Sequence, residues 1–400
     1  MTPQPVDVVV VGAGQAGLSA AYHLRRRGFV PLSRARAGDR TFVVLDAAAR
    51  AGGAWQHRWP TLRMATVNGI HELPGHPVPP ADPAAASRDV LPAYFADYEA
   101  RYDLDVRRPV RVRAVRRAEP PSAGLLVEAE TASGTEPEVF AARYVINATG
   151  TWTRPHWPAY PGRERFRGQQ LHVHDYVSAE EFAGRTVVIV GAGVSAVQLL
   201  EEISRVARTV WVTRREPNWI DEDFDVPARV AAIAGVEERV RLGLAPGSVI
   251  SITGMHWTPW ARAAQRRGVL VRHPMFTAIE EDGVRMPDGS FVHADVILWA
   301  TGFRAAVDHL APLRLRTPAG GIRVEDSRSV DEPRLFLIGY GPSQSTVGAN
   351  RAGRAAVRQI VADLGEAAPA PLRSVSLVSP PRNRKDIASD HEHQSLASRG

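Results

Sequence analysis

A glycine-rich turn near the start of the chain is the first group of residues whose spacing points to chemistry. Gly12, Gly14 and Gly17 have the spacing G-x-G-x-x-G, directly after the apolar β-branched run 6–11 and before a stretch of helical periodicity. In such a turn the first glycine permits a tight bend, the second lets a pyrophosphate approach the backbone, and the third allows close helix–strand packing. Free N–H groups at the helix N-terminus attract phosphates. The turn predicts a dinucleotide site, the alternative being a glycine turn in an unrelated α/β protein.

A second turn of the same kind follows in the middle of the chain. Gly191, Gly193 and Ala196 give G-x-G-x-x-A after the apolar run 186–190. Alanine in the third position still permits close packing of the helix on the strand. Two such turns indicate either a duplicated domain or two dinucleotides that must meet.

The residues that end the next strand differ between the two turns. After the first turn, TFVVLD ends in Asp46, whose carboxylate can accept hydrogen bonds from ribose hydroxyls. After the second, TVWVTRR ends in Arg214 and Arg215. A carboxylate would repel a 2′-phosphate, whereas an arginine can direct two N–H groups onto it. The second site is therefore predicted to hold NADPH, the alternative being a solvated arginine pair.

The composition excludes several other kinds of site. The chain has no cysteine, which removes disulfides, thiolate metal sites, cysteine nucleophiles and dithiol relays. Its formal net charge of +6 comes from arginines scattered among 43 acidic residues, so no nucleic acid is expected as a partner. His172 and His174 could form a metal pair, but no further ligand lies near them in sequence, and no metal is predicted.

Hydrophobicity bears on the location of the protein. No apolar run approaches the roughly 18 residues of a membrane span, so no membrane partner is expected. The N-terminal MTPQP leads directly into a strand without a basic segment or a cleavage site. These features predict a cytoplasmic protein, and its oligomeric state, a homodimer included, stays open.

The segment AGGAWQHRWPTLRM (51–64) bears on which cofactor the first turn binds. An ordinary nicotinamide dehydrogenase has no use for a Gly-Gly-x-Trp loop just after the acidic strand end. Here the sequence resembles the flavin-containing, class B monooxygenases, and the resemblance implies FAD in the first site. It also implies that Ala54 and Trp55 lie along FAD, with Arg58 and Arg63 near its isoalloxazine ring. The alternative is that the tryptophans are core aromatics.

A second motif supports this resemblance. Phe166, Gly168, His172 and Tyr176 fit F-x-G-x-x-x-H-x-x-x-Y, which is similar to the motif that identifies N- and S-oxygenating flavin monooxygenases. Baeyer–Villiger enzymes carry a relative of this motif with Trp where Tyr176 stands. We expect Phe166 to pack, Gly168 to turn, and His172 to form a hydrogen bond across a domain joint.

The resemblance implies a reaction between two cofactors and O2. NADPH delivers hydride to FAD, NADP+ stays bound, and reduced FAD forms a C4a-hydroperoxyflavin that oxygenates a small organic substrate, an amine or a sulfide. The predicted catalytic residues are Arg63 and Asn68, the latter because similar enzymes carry an Asn beside the flavin at this distance from the Trp loop. Asn68 is followed by glycine and could be only a turn residue. An NADPH-dependent flavin reductase or oxidase and a Baeyer–Villiger enzyme remain alternatives.

The elements that must position these residues alternate between strands and helices, which predicts an α/β fold. Two Rossmann-like dinucleotide-binding domains are expected, the NADPH domain being inserted into a split FAD domain. The proline-rich segment RPHWPAYPG (154–162) suits a domain boundary. The predicted division is residues 1–160 (FAD domain, first part), 161–296 (NADPH domain), 297–374 (FAD domain, second part) and 375–400 (disordered tail).

The predicted cofactor contacts include a set for each dinucleotide. The FAD set is Gly12, Gly14, Gln15, Ala16, Gly17, Asp46, Gly53, Ala54, Trp55 and Arg58. The NADPH set is Gly191, Gly193, Val194, Ser195, Ala196, Arg214 and Arg215. Further predicted cofactor contacts, not assigned to one dinucleotide, are Val112 and four residues of the two ATG segments that join the domains, Thr149, Gly150, Thr301 and Gly302.

The arginine pair generates a prediction about coenzyme choice. A charge-assisted hydrogen bond typically contributes ~1.5–3 kcal/mol, so Arg214→Ala should raise the KM for NADPH about tenfold or more. The KM for NADH, which lacks the 2′-phosphate, should stay unchanged. Steady-state kinetics with both coenzymes test this, and equal effects on the two would contradict the assignment.

Overall fold

The computed structural model describes residues 2–67, 69–120, 124–131, 134, 137–220, 226–247 and 254–365. Its strands are β1 (Gln4–Val11), β2 (Val30–Pro31), β3 (Thr41–Leu45), β4 (Val106–Arg107), β5 (Val110–Arg117), β6 (Leu125–Thr131), β7 (Glu138–Asn147), β8 (Gln169–His172), β9 (Thr186–Val190), β10 (Arg208–Thr213), β11 (Trp219–Ile220), β12 (Met255–His256), β13 (Arg272–Pro274), β14 (Ala278–Glu280), β15 (Gly283–Arg285), β16 (Phe291–His293), β17 (Val296–Trp299), β18 (Val324–Glu325), β19 (Arg328–Ser329) and β20 (Leu335–Leu337). Its α-helices are α1 (Gln15–Arg26), α2 (Ser87–Arg101), α3 (Val194–Ile203), α4 (Val226–Arg241), α5 (Pro259–Arg266) and α6 (Thr346–Asp363).

The larger sheet has ten strands, and its main path runs β18-β19-β20-β7-β1-β3-β2. β1 pairs in parallel with β3 and β7, and β20 pairs in parallel with β7. β5 and β6 form an antiparallel arm that joins β7. The strands of this sheet therefore come from two separate parts of the chain, 4–147 and 324–337.

A second, five-stranded sheet has the order β13-β10-β9-β17-β8 and is parallel throughout. Its strands lie between residues 169 and 299. In chain order, the second sheet therefore interrupts the first. Each sheet has one of the two glycine turns at the end of a central strand, β1 or β9.

The central strands are buried on both faces, which explains their continuous apolar runs. In β1, Val8 and Val10 pack into a cluster with residues of α1 and α6. Val9 and Val11 face the other side and pack with β5, β6 and β7. Successive side chains of a strand point to opposite faces, so both sets must be apolar when helices or strands cover both faces.

The structure confirms the predicted strand–turn–helix units and differs from the prediction only at strand ends. β3 ends at Leu45, so Asp46 is the first residue after the strand. β17 ends at Trp299, directly before the second ATG segment. The predicted disordered tail, 375–400, lies outside the described residues.

The first glycine of each turn touches the residue that follows another strand. Gly12 has a φ of 99°, and a Cβ added there would lie 2.6 Å from the Ala148 carbonyl oxygen. Gly191 has a φ of 144°, and its Cβ would lie 2.3 Å from the Ala300 carbonyl oxygen. Both backbones approach too closely for any side chain.

These contacts predict a large difference between two glycines of the second turn. Gly191→Ala should lower the free energy of unfolding by about 2–4 kcal/mol, since it combines overpacking with an unfavourable φ. Gly193→Ala is the matched control, because a Cβ at Gly193 meets nothing within 4 Å. Denaturant unfolding of the two variants measures the difference, and equal stabilities would show that the Gly191 contact is not limiting.

Candidate functional site

The second glycine of each turn faces open space. A Cβ added at Gly14 or Gly193 would meet no protein atom within 4 Å, in contrast to the first glycines. Gly14 precedes α1 and Gly193 precedes α3, so each opening lies at a helix N-terminus. A helix N-terminus presents unpaired N–H groups and a positive dipole end. Both turns can therefore seat a pyrophosphate.

Each turn is held against one of the two ATG segments by matching hydrogen bonds. The Ala148 N–H donates to the Val11 carbonyl at 2.8 Å, and the Ala300 N–H donates to the Val190 carbonyl at 2.8 Å. Gly150, like Gly302, has a positive φ and open space where a Cβ would be. The two halves of the molecule thus repeat one local arrangement of strand, turn and ATG segment.

The threonines of the ATG segments are both engaged with neighbouring backbone. The Thr149 hydroxyl donates to the Ala306 carbonyl at 2.7 Å. The Thr301 hydroxyl donates to the His156 carbonyl. These bonds attach each ATG segment to the chain that connects the two sheets. The threonines therefore fix backbone beside the predicted cofactor sites.

The Gly-Gly-x-Trp loop lies directly on the first turn. A Cβ added at Gly53 would approach the Gly14 Cα to 2.9 Å, so the two glycines pack backbone to backbone. The Arg58 guanidinium lies 5.5 Å from the Trp55 ring and 4.9 Å from the Trp152 ring. Ala54 falls in the same short 3-10 turn as Trp55, Gly53–His57.

Arg58 carries an unsatisfied polar atom. Its Nε is buried without a hydrogen-bond partner among the described residues. Burial lowers the pKa of Arg58 to about 10. A buried donor without a partner costs free energy, so it indicates a missing acceptor. An acceptor group on a bound cofactor would satisfy it.

Asp46 belongs to a buried ion network that the sequence did not reveal. Its carboxylate lies 3.1 Å from the Arg108 guanidinium, which also forms two hydrogen bonds to Glu99 at 2.6 and 2.7 Å. The second oxygen of Asp46 accepts from the Ala48 N–H at 3.2 Å. Against the effect of burial, the two carboxylates raise the pKa of Arg108. This network fixes the orientation of Asp46.

A large cleft, with a volume of about 1490 Å³, adjoins the Gly-Gly-x-Trp loop and the start of α3. Trp55 and Arg58 of the first loop line it, and so do Val194 and Ser195 at the start of α3. The segment 344–348, which leads into α6, lines it as well. The cleft therefore brings together residues that the sequence assigned to FAD and to NADPH.

Of the two predicted catalytic residues, Arg63 lies among the described residues. Arg63 is exposed and is not part of the cleft lining, so its predicted role stays untested. Asn68 lies outside the described residues. Its neighbours Val67 and Gly69 both line the cleft.

Other predicted contacts lie around the two turns. The Gln15 side-chain amide donates to Asn350 Oδ1 at 3.0 Å and to the His71 carbonyl at 3.3 Å, which fastens α1 to α6. Val112 is half-buried in the antiparallel arm. Ala16, Gly17 and Ala196 pack in the first turns of α1 and α3 and are buried.

Arg214 and Arg215 follow β10 and are exposed to solvent. No ion pair involves either of them within the described part of the chain. A third arginine, Arg272, lies beside them, where its Nε donates to the Thr213 hydroxyl at 2.8 Å. The guanidinium of Arg272 also lies 3.2 Å from the Glu216 carboxylate. The sequence prediction missed Arg272 because it lies 59 positions from Thr213, the strand-end residue that it contacts.

The motif around His172 lies in and beside β8, which pairs with β17 in the second sheet. His172 Nε2 donates to the Gly302 carbonyl at 3.1 Å, and its Nδ1 accepts from the His174 N–H at 3.1 Å. Burial lowers the pKa of His172 to about 4, so the ring is neutral. Phe166 is buried in the core. Gly168 packs against the Asp295 carbonyl, where a Cβ would come within 2.5 Å.

The described residues include neither a cluster of metal ligands nor a membrane-spanning helix. No group of three or more His, Asp or Glu side chains is arranged to hold a metal ion in the described ranges. Among the described helices, none is long and apolar enough to cross a membrane.

Comparison with known proteins agrees with this arrangement. Residues 9–247 match the model of the pyridine nucleotide-disulphide oxidoreductase family. A flavin-containing monooxygenase from Stenotrophomonas maltophilia is 37% identical to this chain, with a TM-score of 0.74. The match covers 90% of this chain and 100% of the relative's chain. The chain is a class B flavoprotein monooxygenase. It therefore belongs to the oxidoreductases that use FAD and NADPH.

This monooxygenase is also similar to two other monooxygenases, one in sequence and one in fold. Indole-3-pyruvate monooxygenase YUCCA4 of Oryza sativa subsp. japonica is 27% identical over 350 residues, which span 76% of each chain. An oxidized steroid monooxygenase bound to NADP shares the fold, with 20% identity, a TM-score of 0.54, and coverage of 90% of this chain and 85% of its own. The matching family model is named for disulphide chemistry, yet this monooxygenase has no cysteine and cannot form a redox dithiol.

The two open glycines generate a paired prediction. Gly14→Val should raise the Kd for FAD about tenfold or more, because the branched side chain would occupy the pyrophosphate position. The purified variant should therefore lose bound flavin and its yellow colour. Gly193→Val should keep FAD and lose NADPH binding for the same reason. Both variants should fold, since a Cβ at either position meets no protein atom within 4 Å. Flavin absorbance and NADP+ titration distinguish them, and a Gly14→Val protein with full flavin content would disprove the FAD assignment.

Proposed function

We propose that this monooxygenase uses NADPH and O2 to oxygenate a small organic substrate at nitrogen or sulfur. The observation that carries the proposal is the cleft beside the Gly-Gly-x-Trp loop and the start of α3, whose lining includes Trp55, Arg58, Val194 and Ser195. A hydride can pass between two cofactors only where their reactive rings meet. This cleft is a space that both predicted sites adjoin.

The proposal includes a division of labour between the two sheets. The FAD domain consists of residues 1–160 and 297–374, and the NADPH domain of residues 161–296. The second sheet supports this division in outline, because all its strands lie between residues 169 and 299. The proposed boundary at 296/297 falls within β17, whose strand pairs belong to the second sheet. In an open parallel sheet, ligands bind outside the carboxyl ends of the strands. The two glycine turns occupy that position in their sheets.

FAD supplies the oxygen-transfer chemistry when bound, by way of the C4a-hydroperoxyflavin that the resemblance implies. The protein binds FAD and NADPH and orients them. Gly14 and Asp46 hold the adenosine diphosphate half of FAD, and Arg214 and Arg215 bind the 2′-phosphate of NADPH. Arg58 donates a hydrogen bond from Nε, which has no partner among the described residues, to the flavin portion of FAD. Closing such a site excludes water, which would otherwise favour release of hydrogen peroxide.

The function can be tested by mixing the NADPH-reduced enzyme rapidly with O2 in the absence of substrate. A transient oxygenated flavin that persists before the oxidised spectrum returns supports the proposal. Immediate reoxidation with stoichiometric hydrogen peroxide would identify a flavin oxidase or reductase instead. Product analysis with amine, sulfide and ketone substrates then separates heteroatom oxygenation from Baeyer–Villiger activity.

Asn68 provides a second test of this chemistry. An amide offers two donors and one acceptor without a charge, so it can hold a peroxide oxygen and a nicotinamide together without protonating either. Asn68→Ala should bind FAD and accept hydride from NADPH normally. Its oxygenated flavin should decay faster, by about tenfold if one hydrogen bond is lost, and NADPH oxidation should yield hydrogen peroxide. Full coupling in this variant would show that Asn68 only shapes a turn.

A further inference from the structure

The loop between the Gly-Gly-x-Trp segment and Asn68 is held by the helix of the other turn. The side-chain amide of Gln198, in α3, donates to the Thr66 carbonyl at 2.7 Å. These residues are 132 positions apart in the chain. Gln198 also lines the cleft, one helical turn beyond Val194. A hydrogen bond thus links the second site's helix to the backbone two residues before Asn68.

A second anchor lies one turn further along α3. The Thr61 hydroxyl donates to the Glu202 carboxylate, which the Tyr176 hydroxyl also faces. Burial raises the pKa of Glu202, and burial followed by the nearby Glu202 charge raises the pKa of Tyr176. The Trp59 and Tyr176 rings meet edge to face, with their centroids 6.0 Å apart.

Apolar contacts complete the attachment. Trp59 is 3% exposed and Leu62 is 5% exposed, and both belong to the core cluster that includes buried residues of α3. We define residues 59–67 as the anchored loop. It is packed on α3 although its sequence continues the Gly-Gly-x-Trp segment that lies on the first turn.

We infer that Gln198 and Glu202 are positioning residues, through which coenzyme binding at the α3 N-terminus orders the anchored loop. The inference rests on the proposed function, since it takes the second turn as the NADPH site. α3 is a rigid element with the phosphate site at one end and the loop anchors along its side. Coenzyme bound at Gly193 and contacting α3 therefore restrains the loop that precedes Asn68 in the chain. Tyr176 acts in this arrangement as packing for Trp59.

Hydrogen–deuterium exchange tests the inference on the oxidised FAD-containing enzyme without turnover. Exchange of backbone amides within 59–67 is measured with and without NADP+ at about 100 times its Kd, determined for each variant. If loop opening requires coenzyme release, exchange slows up to about 100-fold at this concentration. We expect a slowing of about tenfold or more in the unmodified protein.

The variants separate positioning from simple binding. Gln198→Ala removes the anchor on the cleft side, and Thr61→Val removes the other anchor from the loop itself. In both, NADP+ at matched saturation should slow exchange of the loop by only about twofold or less. The control is Glu201→Gln, in the same helix but in neither anchor, where Glu201 pairs with Arg267 at 2.9 Å. This variant should behave like the unmodified protein.

The outcomes distinguish this inference from the proposed function. If NADP+ does not bind, or binds unaffected by Gly193→Val, the assignment of the second site is wrong. If NADP+ binds normally but leaves the loop's exchange unchanged, or protects Gln198→Ala and Thr61→Val as well as the unmodified protein, the positioning role is wrong. Thermal unfolding of each variant checks that the protection is not lost through global destabilisation.

Discussion

The close approach of two glycines to two carbonyl groups determines the geometry of this monooxygenase. Gly12 touches the Ala148 carbonyl and Gly191 touches the Ala300 carbonyl, at distances that leave no room for a Cβ. Each contact brings a strand end, a helix N-terminus and an ATG segment to one point. Because the next glycine in each turn then faces open space, the same contact that closes the backbone also leaves a position for a pyrophosphate.

The ATG segments extend this geometry from the turns to the joint between the sheets. The Gly302 carbonyl accepts from the His156 N–H at 2.9 Å and from His172 at 3.1 Å. The rings of Trp152 and Phe303, which follow the two segments, stack with their centroids 5.0 Å apart. The chain crossing between the sheets is therefore attached to both turns. The cleft has residues of the Gly-Gly-x-Trp loop and of the start of α3 on its walls.

The sequence was sufficient for the parts of the structure that depend on neighbours in the chain. Continuous apolar runs and glycine spacing predicted the two strand–turn–helix units because these are local patterns. Arg108 and Glu99 were missed because their partner Asp46 lies 62 residues from Arg108, and only the fold brings these charges together. Arg58 and Arg63 could not be told apart in one arginine-containing loop, whereas burial separates them clearly.

The charges at the two strand ends differ in a way that suits two different kinds of ligand. At the first, Asp46 and Arg108 are largely buried, and separating buried partners is strongly unfavourable. At the second, Arg214 and Arg215 are exposed, where salt screens their attraction for a phosphate and water can replace it. A cofactor that stays through many turnovers benefits from a rigid, pre-oriented carboxylate. A coenzyme that must leave after each turnover benefits from screened cations, so the two strand ends accord with a resident FAD and an exchangeable NADPH.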